Sequence, residues 1–141
     1  MQKIILLKEP NLLRDEIIRV LQEKLPHYSV VSYHTSQFEQ MKTSENPLNM
    51  DLMIIDTETH IDPKAVKEFY KDHDVKLAIW TSRTDHQRLI QLFKLGFDGY
   101  LFNEMEEAEL LLAVESMGQG KKYVHPDLCT ILLNEYIKAS T

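Results

Sequence analysis

The sequence is poor in cysteine and has no long apolar run, and each absence excludes a class of protein. Cys129 is the only cysteine among 141 residues, so neither an internal disulfide nor a thiolate zinc site can form within the chain. No apolar run approaches the roughly 18 residues that a bilayer-spanning helix needs, and the first residues lack the pattern of a secretory signal. We therefore expect a cytoplasmic protein that does not enter a membrane.

Basic residues are also in the minority. The chain has 16 lysines and arginines against 22 aspartates and glutamates, which gives a net charge of -6. Nucleic acids and anionic membranes attract basic surfaces, so this chain is not expected to bind either on its own. The six histidines do not show the spacing of a metal site, and we expect no structural metal. Apolar residues make up 43% of the chain, which is typical of a globular domain.

The sequence does contain a regular alternation of short apolar runs and amphipathic stretches. The apolar runs predict strands over residues 3–7, 28–33, 52–55, 75–80 and 100–102. The amphipathic stretches predict helices over 11–25, within 35–50, from 62, from 84 or 85, over 104–117 and over 126–139. Asp62 before Pro63 is a helix-start signal, and Thr84 or Asp85 is predicted to cap the next helix. The alternation predicts a parallel sheet with helices on both faces.

Polar residues follow the predicted strands, at the edge where open parallel sheets bind ligands. They are Lys8 and Glu9 after the first strand, Asp56 after the third, Thr81 and Ser82 after the fourth, and Asn103 after the fifth. With the strand order 2-1-3-4-5, Glu9, Asp56 and Thr81 are expected to share one pocket. An aspartate after an apolar strand is more often a turn or cap residue, so the stretch around Asp56 alone leaves both interpretations open.

At this point the chain resembles the receiver domains of bacterial two-component response regulators, and most closely the LuxR/NarL class. DLMIID is similar to the strand that carries the phosphoacceptor, and VKLAIWTSRTDHQRLIQLFKLGFDGYLFN has the family's order of strand, Thr, helix, Gly-x-Asp-Gly-Tyr and strand. GKKYVHPDLCTILLNEY is similar to the segment that precedes a DNA-binding helix-turn-helix domain. The resemblance implies a flavodoxin-like α/β receiver with a five-stranded parallel sheet of order 2-1-3-4-5 and an extra C-terminal helix.

The resemblance also implies a division of the chain and a set of functional residues. A receiver domain is expected over 1–118 and a linker segment with a helix over 119–141, with the DNA-binding domain outside this chain. Asp56 falls on the aspartate that accepts phosphate from a histidine kinase, and Thr81 falls on the hydroxyl that holds the phosphoryl group. Ser82 falls on the small residue beside it. Tyr100 falls on the aromatic position whose ring can turn inward.

Two departures from the family pattern concern charge. The family has two adjacent acids that bind magnesium, but Lys8 stands at the first position and only Glu9 remains. Asn103 replaces the family's lysine. Magnesium prefers several oxygen ligands, so Glu9 and Asp56 are expected to form a weak magnesium site at most, and no cofactor is required. We predict that Lys8 pairs with Asp56 in place of the cation; the alternative is a solvated lysine that makes no contact.

These features predict an atypical receiver that is not an enzyme and is phosphorylated weakly or not at all. It would form a homodimer and control transcription through an appended helix-turn-helix domain. An apolar excess over 104–117 also indicates a partner surface. One alternative is a conventional magnesium-dependent phosphorylation switch at Asp56. Another is a small-molecule-binding flavodoxin-like domain or a stand-alone interaction module, although residues 8–11 contain no phosphate-binding glycine.

The sequence also predicts whether four further residues are buried or exposed. Trp80 and Phe102 are expected in the core, because they lie in apolar strands. His60 and His125 are expected in surface loops.

Overall fold

One parallel sheet organises the chain. The structure is a computed structural model that describes residues 2–58, 61–82 and 86–140. The strands are β1 (Gln2–Leu7), β2 (Tyr28–Tyr33), β3 (Leu52–Asp56), β4 (Lys76–Thr81), β5 (Gly99–Phe102) and β6 (Tyr123–Val124). Their order is β2-β1-β3-β4-β5-β6, and every neighbouring pair is parallel. The predicted α/β class and the order of the first five strands are confirmed.

The predicted count of five strands is wrong, because Tyr123–Val124 adds a sixth. Tyr123 pairs with Gly99 and Val124 with Tyr100 at the edge of the sheet. The backbone N–H of Tyr123 donates to the Asp98 carbonyl at 3.0 Å. Two residues are too few to show the alternation by which a strand is predicted from sequence, so this pairing depends on contacts between distant segments.

Helices connect the strands as the alternation predicts. They are α1 (Leu12–Lys24), α2 (Phe38–Ser44), α3 (Pro63–Tyr70), α4 (His86–Leu95), α5 (Glu107–Gly118) and α6 (Pro126–Ser140), with short 3-10 turns at Thr35–Gln37 and Pro47–Asn49. Asp62 caps α3 by accepting a hydrogen bond from the Lys64 N–H at 3.1 Å, as predicted. The predicted caps Thr84 and Asp85 lie outside the described residues.

Both faces of the sheet are covered, which leaves β3 buried throughout. Helices α1 and α5 cover one face with Ile17, Leu21, Leu110 and Val114. Helices α2, α3, α4 and α6 cover the other with Met41, Val66, Leu92 and Leu128. Trp80 and Phe102 are each 2% exposed, which confirms that both lie in the core.

No helix in residues 2–58, 61–82 and 86–140 is long and apolar enough to cross a bilayer.

Tyr70 of α3 is a buried tyrosine whose ionisation should affect stability. The side chain is 2% exposed, and no described residue offers its hydroxyl a hydrogen bond. Burial, together with the carboxylate of Glu45, raises the pKa of Tyr70 to about 12. In the unfolded chain the pKa of a tyrosine is about 10, so the unfolded chain ionises first and stability falls as the pH rises from about 10 to 12.

Replacing Tyr70 by phenylalanine is therefore expected to stabilise the protein. At neutral pH the gain should be about 1 kcal/mol, because a buried hydroxyl without a partner is removed. The gain should grow above pH 10. The unfolded parent chain ionises its tyrosine there more readily than the folded chain does, so the parent loses stability, whereas the variant has no hydroxyl to ionise. Urea unfolding at neutral pH and at pH 10.5 measures both effects. Tyr136→Phe is the control, because Tyr136 is 71% exposed and should change stability little; equal effects of the two variants would contradict the prediction.

Candidate functional site

The carboxyl ends of β1 and β3 bring Lys8 and Asp56 together. These strands are neighbours, and their register pairs Leu7 with Ile55, so Lys8 and Asp56 are the next residues on each strand. Lys8 Nζ donates a hydrogen bond to Asp56 Oδ2 at 3.0 Å, and each side chain is only 5% exposed. The predicted pairing is confirmed, and the alternative of a solvated Lys8 is wrong. The ammonium also lies 6.0 Å from the centroid of the Trp80 ring.

The second oxygen of Asp56 is held by the following loop. Asp56 Oδ1 accepts a hydrogen bond from the Glu58 N–H at 2.9 Å. Between these residues, Thr57 donates to the Trp80 carbonyl through both its N–H, at 3.0 Å, and its hydroxyl, at 3.1 Å. A buried carboxylate is tolerated when it is paired and hydrogen-bonded, and Asp56 meets both conditions.

Thr81 and Ser82 lie at the same edge, after β4. The Thr81 side chain is 5% exposed, and its hydroxyl donates to the Ser82 carbonyl at 3.2 Å. The Ser82 hydroxyl donates to Glu58 Oε1 at 2.6 Å, and the Arg88 guanidinium donates to the Thr57 carbonyl. The loop after β3 is therefore tied both to the loop after β4 and to α4.

Glu58 and Arg88 were missed by the sequence analysis. Arg88 lies in the first turn of the described part of α4, where the helix dipole disfavours a cation. Because this position is unfavourable for a cation within the helix, an arginine here indicates that its side chain contacts another part of the chain, as Arg88 does with Thr57. Glu58 carries no comparable signal, since an exposed glutamate in a loop is common.

Glu9 is engaged away from Asp56. Its Oε1 accepts from the Thr35 hydroxyl at 2.5 Å, and its Oε2 lies 2.5 Å from His34 Nε2. Both partners follow β2, which lies on the opposite side of β1 from β3. The predicted pocket of Glu9, Asp56 and Thr81 is thus divided, with Glu9 turned towards β2.

The donors around Asp56 do not fit a magnesium ion as they are arranged. Magnesium needs several oxygen ligands, but Asp56 Oδ2 is bound by an ammonium that would repel the metal. Glu9, the other predicted ligand, is held by His34 and Thr35. Within the described part of the chain, no three histidine, cysteine, aspartate or glutamate side chains are grouped as a metal site.

Asn103 is anchored beside Thr81 by its backbone. Its N–H donates to the Thr81 carbonyl at 3.0 Å. Its side-chain Oδ1 is buried, and no described residue donates a hydrogen bond to it. A neutral amide at this position can orient a neighbour but cannot neutralise a phosphoryl group as a lysine does.

Tyr100 lies inside the core and contacts the end of α4. The residue is 3% exposed, and burial raises the pKa of its hydroxyl. The hydroxyl accepts from the Phe97 N–H at 2.9 Å and lies 3.1 Å from the Leu92 carbonyl, to which it donates. Carbonyls in the last turn of a helix lack partners within the helix, so Tyr100 stabilises that end of α4. The ring is therefore turned inward.

The prediction that His125 lies in a surface loop is wrong. His125 is 4% exposed and packs beside the Phe102 ring, with centroids 5.3 Å apart. Its Nδ1 accepts from the Asp127 N–H at 3.1 Å at the start of α6, and its Nε2 lies 2.7 Å from Glu109 Oε2. The other oxygen of Glu109 accepts from the Glu106 N–H, so one carboxylate contacts the starts of α5 and α6. His60 lies outside the described residues.

The sequence is similar to a curated regulator of transcription. The transcriptional regulatory protein DegU from Brevibacillus brevis is 26% identical over 140 residues, which cover 95% of this chain and 57% of DegU. This chain therefore spans little more than half of that relative. No family model matches the chain.

Solved structures show the same fold. A two-component response regulator of the LuxR family from Aurantimonas sp. SI85-9A1 has a TM-score of 0.75 at 18% identity, over 96% of this chain and 97% of that one. The isolated REC domain of RcsB from Salmonella enterica serovar Typhimurium, with the phosphomimetic BeF3-, has a TM-score of 0.74 at 17% identity, over 93% and 97%. RcsB has also been solved as two dimers bound to two parallel DNAs, with a TM-score of 0.74 at 17% identity over 94% of this chain and 67% of that one. The chain is thus a homologue of response regulators of the LuxR/NarL class, with the fold of their receiver domain.

Proposed function

We propose that this chain is an atypical receiver domain in which Asp56 is phosphorylated weakly or not at all. The observation that carries the proposal is the buried ion pair between Lys8 and Asp56. An aspartate that attacks a phosphoryl group must offer a free oxygen, and both oxygens of Asp56 accept hydrogen bonds. Lys8 would have to leave Asp56 Oδ2 before that oxygen could react.

Charge balance supports the same proposal. Phosphoryl transfer depends on positioning and on neutralising the charge that develops on the phosphoryl oxygens. In this pocket Lys8 already neutralises Asp56, and Glu9 contacts His34. The neutral Asn103 adds no positive charge. The pocket is therefore balanced without a metal ion and has little positive charge left for a phosphoryl group.

The proposed role is regulation of transcription in the cytoplasm, without enzyme activity. DegU is a transcriptional regulatory protein, and RcsB has been solved as dimers on DNA. By analogy this chain would dimerise and act through a helix-turn-helix domain outside these residues, because its net charge of -6 is unsuited to binding DNA directly. A histidine kinase is a partner only if Asp56 does accept phosphate, which is the conventional alternative.

A titration followed by amide NMR tests the proposal. Adding magnesium to millimolar concentration and then beryllofluoride, which mimics phosphorylated aspartate, is expected to leave the amides of Asp56, Thr81 and Tyr100 nearly unshifted. The physical reason is that Lys8 occupies the position of the cation and no pair of free acids remains.

Saturable shifts at those three amides that require both magnesium and beryllofluoride would establish a conventional phosphorylation switch instead. Calcium, which takes more oxygen ligands at longer distances, is the control for weak binding to surface carboxylates. Shifts that both metals cause equally, away from Asp56, report only such surface binding and agree with the proposal.

A further inference from the structure

A cavity lies between α2 and the start of α3, apart from Asp56. Its volume is about 410 Å³, which is within the range of roughly 300–1,000 Å³ that small-molecule sites occupy. Residues that follow three neighbouring strands line it: Glu9 after β1, residues 34–36 after β2, and Ile61 and Asp62 after β3. Open parallel sheets bind ligands beyond these ends of their strands, so the cavity is in the position of a binding site. Asp56 is not among the described residues that line it.

One wall of the cavity is apolar. It is formed by Phe38 at the start of α2, by Ile61, and by Ala65 in the first turn of α3. Phe38 belongs to the core and Ile61 packs against that core, so this wall is held in place. The ammonium of Lys42 lies 4.7 Å from the centroid of the Phe38 ring, which shows that the ring can accommodate a cation. The wall therefore suits an apolar or aromatic skeleton.

The hydrogen-bond donors beside Glu9 are already used, and acceptor sites remain. The Thr35 hydroxyl donates to Glu9 Oε1 at 2.5 Å, and His34 Nε2 lies 2.5 Å from Glu9 Oε2. His34 Nδ1 accepts from the Ser36 N–H at 3.1 Å and lies 2.7 Å from the Ser36 hydroxyl, so the ring hydrogen is on Nε2 and is directed at Glu9. A carboxylate has about four acceptor sites, so Glu9 keeps about two for a ligand.

The charge of the cavity is negative. Three carboxylates, those of Glu9, Glu39 and Asp62, are among its lining residues. Asp62 caps α3 through Oδ1, and no described residue donates to its Oδ2. Lys42 pairs with Glu39 at 3.0 Å. The carboxylates outnumber Lys42 and His34 even when both are counted as cations, so a cation with hydrogen-bond donors fits the cavity and an anion is repelled.

We propose that this cavity binds a small organic cation: a primary ammonium on an apolar or aromatic skeleton. The ammonium donates to the remaining acceptor sites of Glu9 and Asp62, and the skeleton packs on the apolar wall. Such a ligand gains both charge-assisted hydrogen bonds and apolar burial. A bare metal ion is a poorer occupant, since no three metal-ligating side chains are grouped in the described part of the chain. The inference goes beyond the proposed function, because it does not involve Asp56.

Isothermal titration calorimetry of the whole chain with phenethylammonium tests the chemistry of the ligand. Binding is expected with a dissociation constant of about 1 mM or lower. Phenethyl alcohol has the same skeleton without the charge and should bind at least about 10-fold more weakly, because charged hydrogen bonds are lost. Hydrocinnamate, which carries the opposite charge, should not bind measurably. Equal binding of the ammonium and the alcohol, or no binding of the ammonium at about 10 mM, would overturn the proposal.

Substitutions in the cavity test the location. Asp62→Asn keeps a capping residue for α3 and Glu9→Gln keeps the side-chain size, but each removes a charge and should weaken phenethylammonium binding at least about 10-fold. Ala65→Leu fills part of the cavity without changing its charge and should also weaken binding at least about 10-fold. Glu68→Gln is the matched control, because Glu68 is an exposed glutamate of α3 that is not among the lining residues. It should bind as the parent chain does.

Circular dichroism establishes that each variant is folded, and the comparison of ammonium with alcohol needs no variant. Binding that survives unchanged in Ala65→Leu, or in both Asp62→Asn and Glu9→Gln, would place the ammonium elsewhere and overturn the proposal. Magnesium and beryllofluoride are absent from these titrations, so failure of this cavity and failure of the Asp56 proposal can be told apart.

Discussion

Replacing Lys8 by methionine is expected to lower the free energy of unfolding by about 3–5 kcal/mol, because removing one partner of a buried ion pair leaves the other charge uncompensated. Lys8 and Asp56 are each 5% exposed, and the hydrogen bond between them is 3.0 Å long. Methionine keeps most of the length and apolar character of the lysine side chain, so the loss should report the charge and not a cavity. Urea unfolding followed by circular dichroism measures it.

Removing both charges should restore most of this stability. In Lys8→Met with Asp56→Asn, the amide oxygen can still accept from the Glu58 N–H, and no buried charge remains. Replacing a whole buried ion pair by neutral groups is often close to neutral in stability. Lys64→Met is the control, because Lys64 is an exposed lysine and its change should stay within about 0.5 kcal/mol.

A loss below about 1 kcal/mol at neutral pH, or a double variant no more stable than Lys8→Met, would show that Lys8 does not balance the charge of Asp56.

The Lys8–Asp56 pair could be predicted because it follows from which backbone strands are neighbours in the sheet. The apolar runs identify β1 and β3, and the alternation of strands and helices gives a parallel sheet in which these strands are neighbours. Polar residues that follow neighbouring parallel strands must then lie at one edge. Opposite charges at that edge, in a pocket covered by helices, are expected to pair.

The direction of Glu9 was not predicted, although part of it follows from geometry. Consecutive side chains of an extended chain point to opposite sides, so a lysine directed at Asp56 implies that the next residue points elsewhere. Which partners Glu9 finds depends on the 3-10 turn at Thr35–Gln37, where His34 and Thr35 approach from β2. The sequence alone predicted only a weak helix in this region.

His125 and the sixth strand were missed for a common reason. The edge pairing at Tyr123–Val124 places His125 beside Phe102, within reach of Glu109. Each contact joins segments that are far apart in sequence, and neither a two-residue strand nor a histidine before a proline shows a pattern that reveals them. The burial of His125 is a consequence of the tertiary structure, and so is the position of α6, which begins at the next residue.

Changing Lys8 to aspartate together with Asn103 to lysine is expected to create magnesium binding and a response to beryllofluoride. The first change turns a repelling ammonium into an oxygen ligand beside Asp56, and the second supplies a cation for the phosphoryl oxygens. Two unit charges about 4 Å apart interact by about 4 kcal/mol at an effective dielectric constant of about 20, and reversing a unit charge beside a dication changes the interaction by about four times that amount before desolvation is counted. Magnesium affinity should therefore rise at least about 100-fold over the parent chain.

Thermal unfolding provides a readout that does not depend on phosphorylation. Without metal the variant should be less stable than the parent, because two carboxylates then share a buried site without a cation. Magnesium at about 100 times its dissociation constant should return about 2.7 kcal/mol, whereas the parent chain should show little change. Asn103→Lys alone is the matched control and should not gain magnesium binding, since Lys8 still occupies Asp56 Oδ2. If magnesium stabilises the parent chain as strongly as the double variant, Lys8 does not exclude the metal, and the conventional switch at Asp56 is the better account.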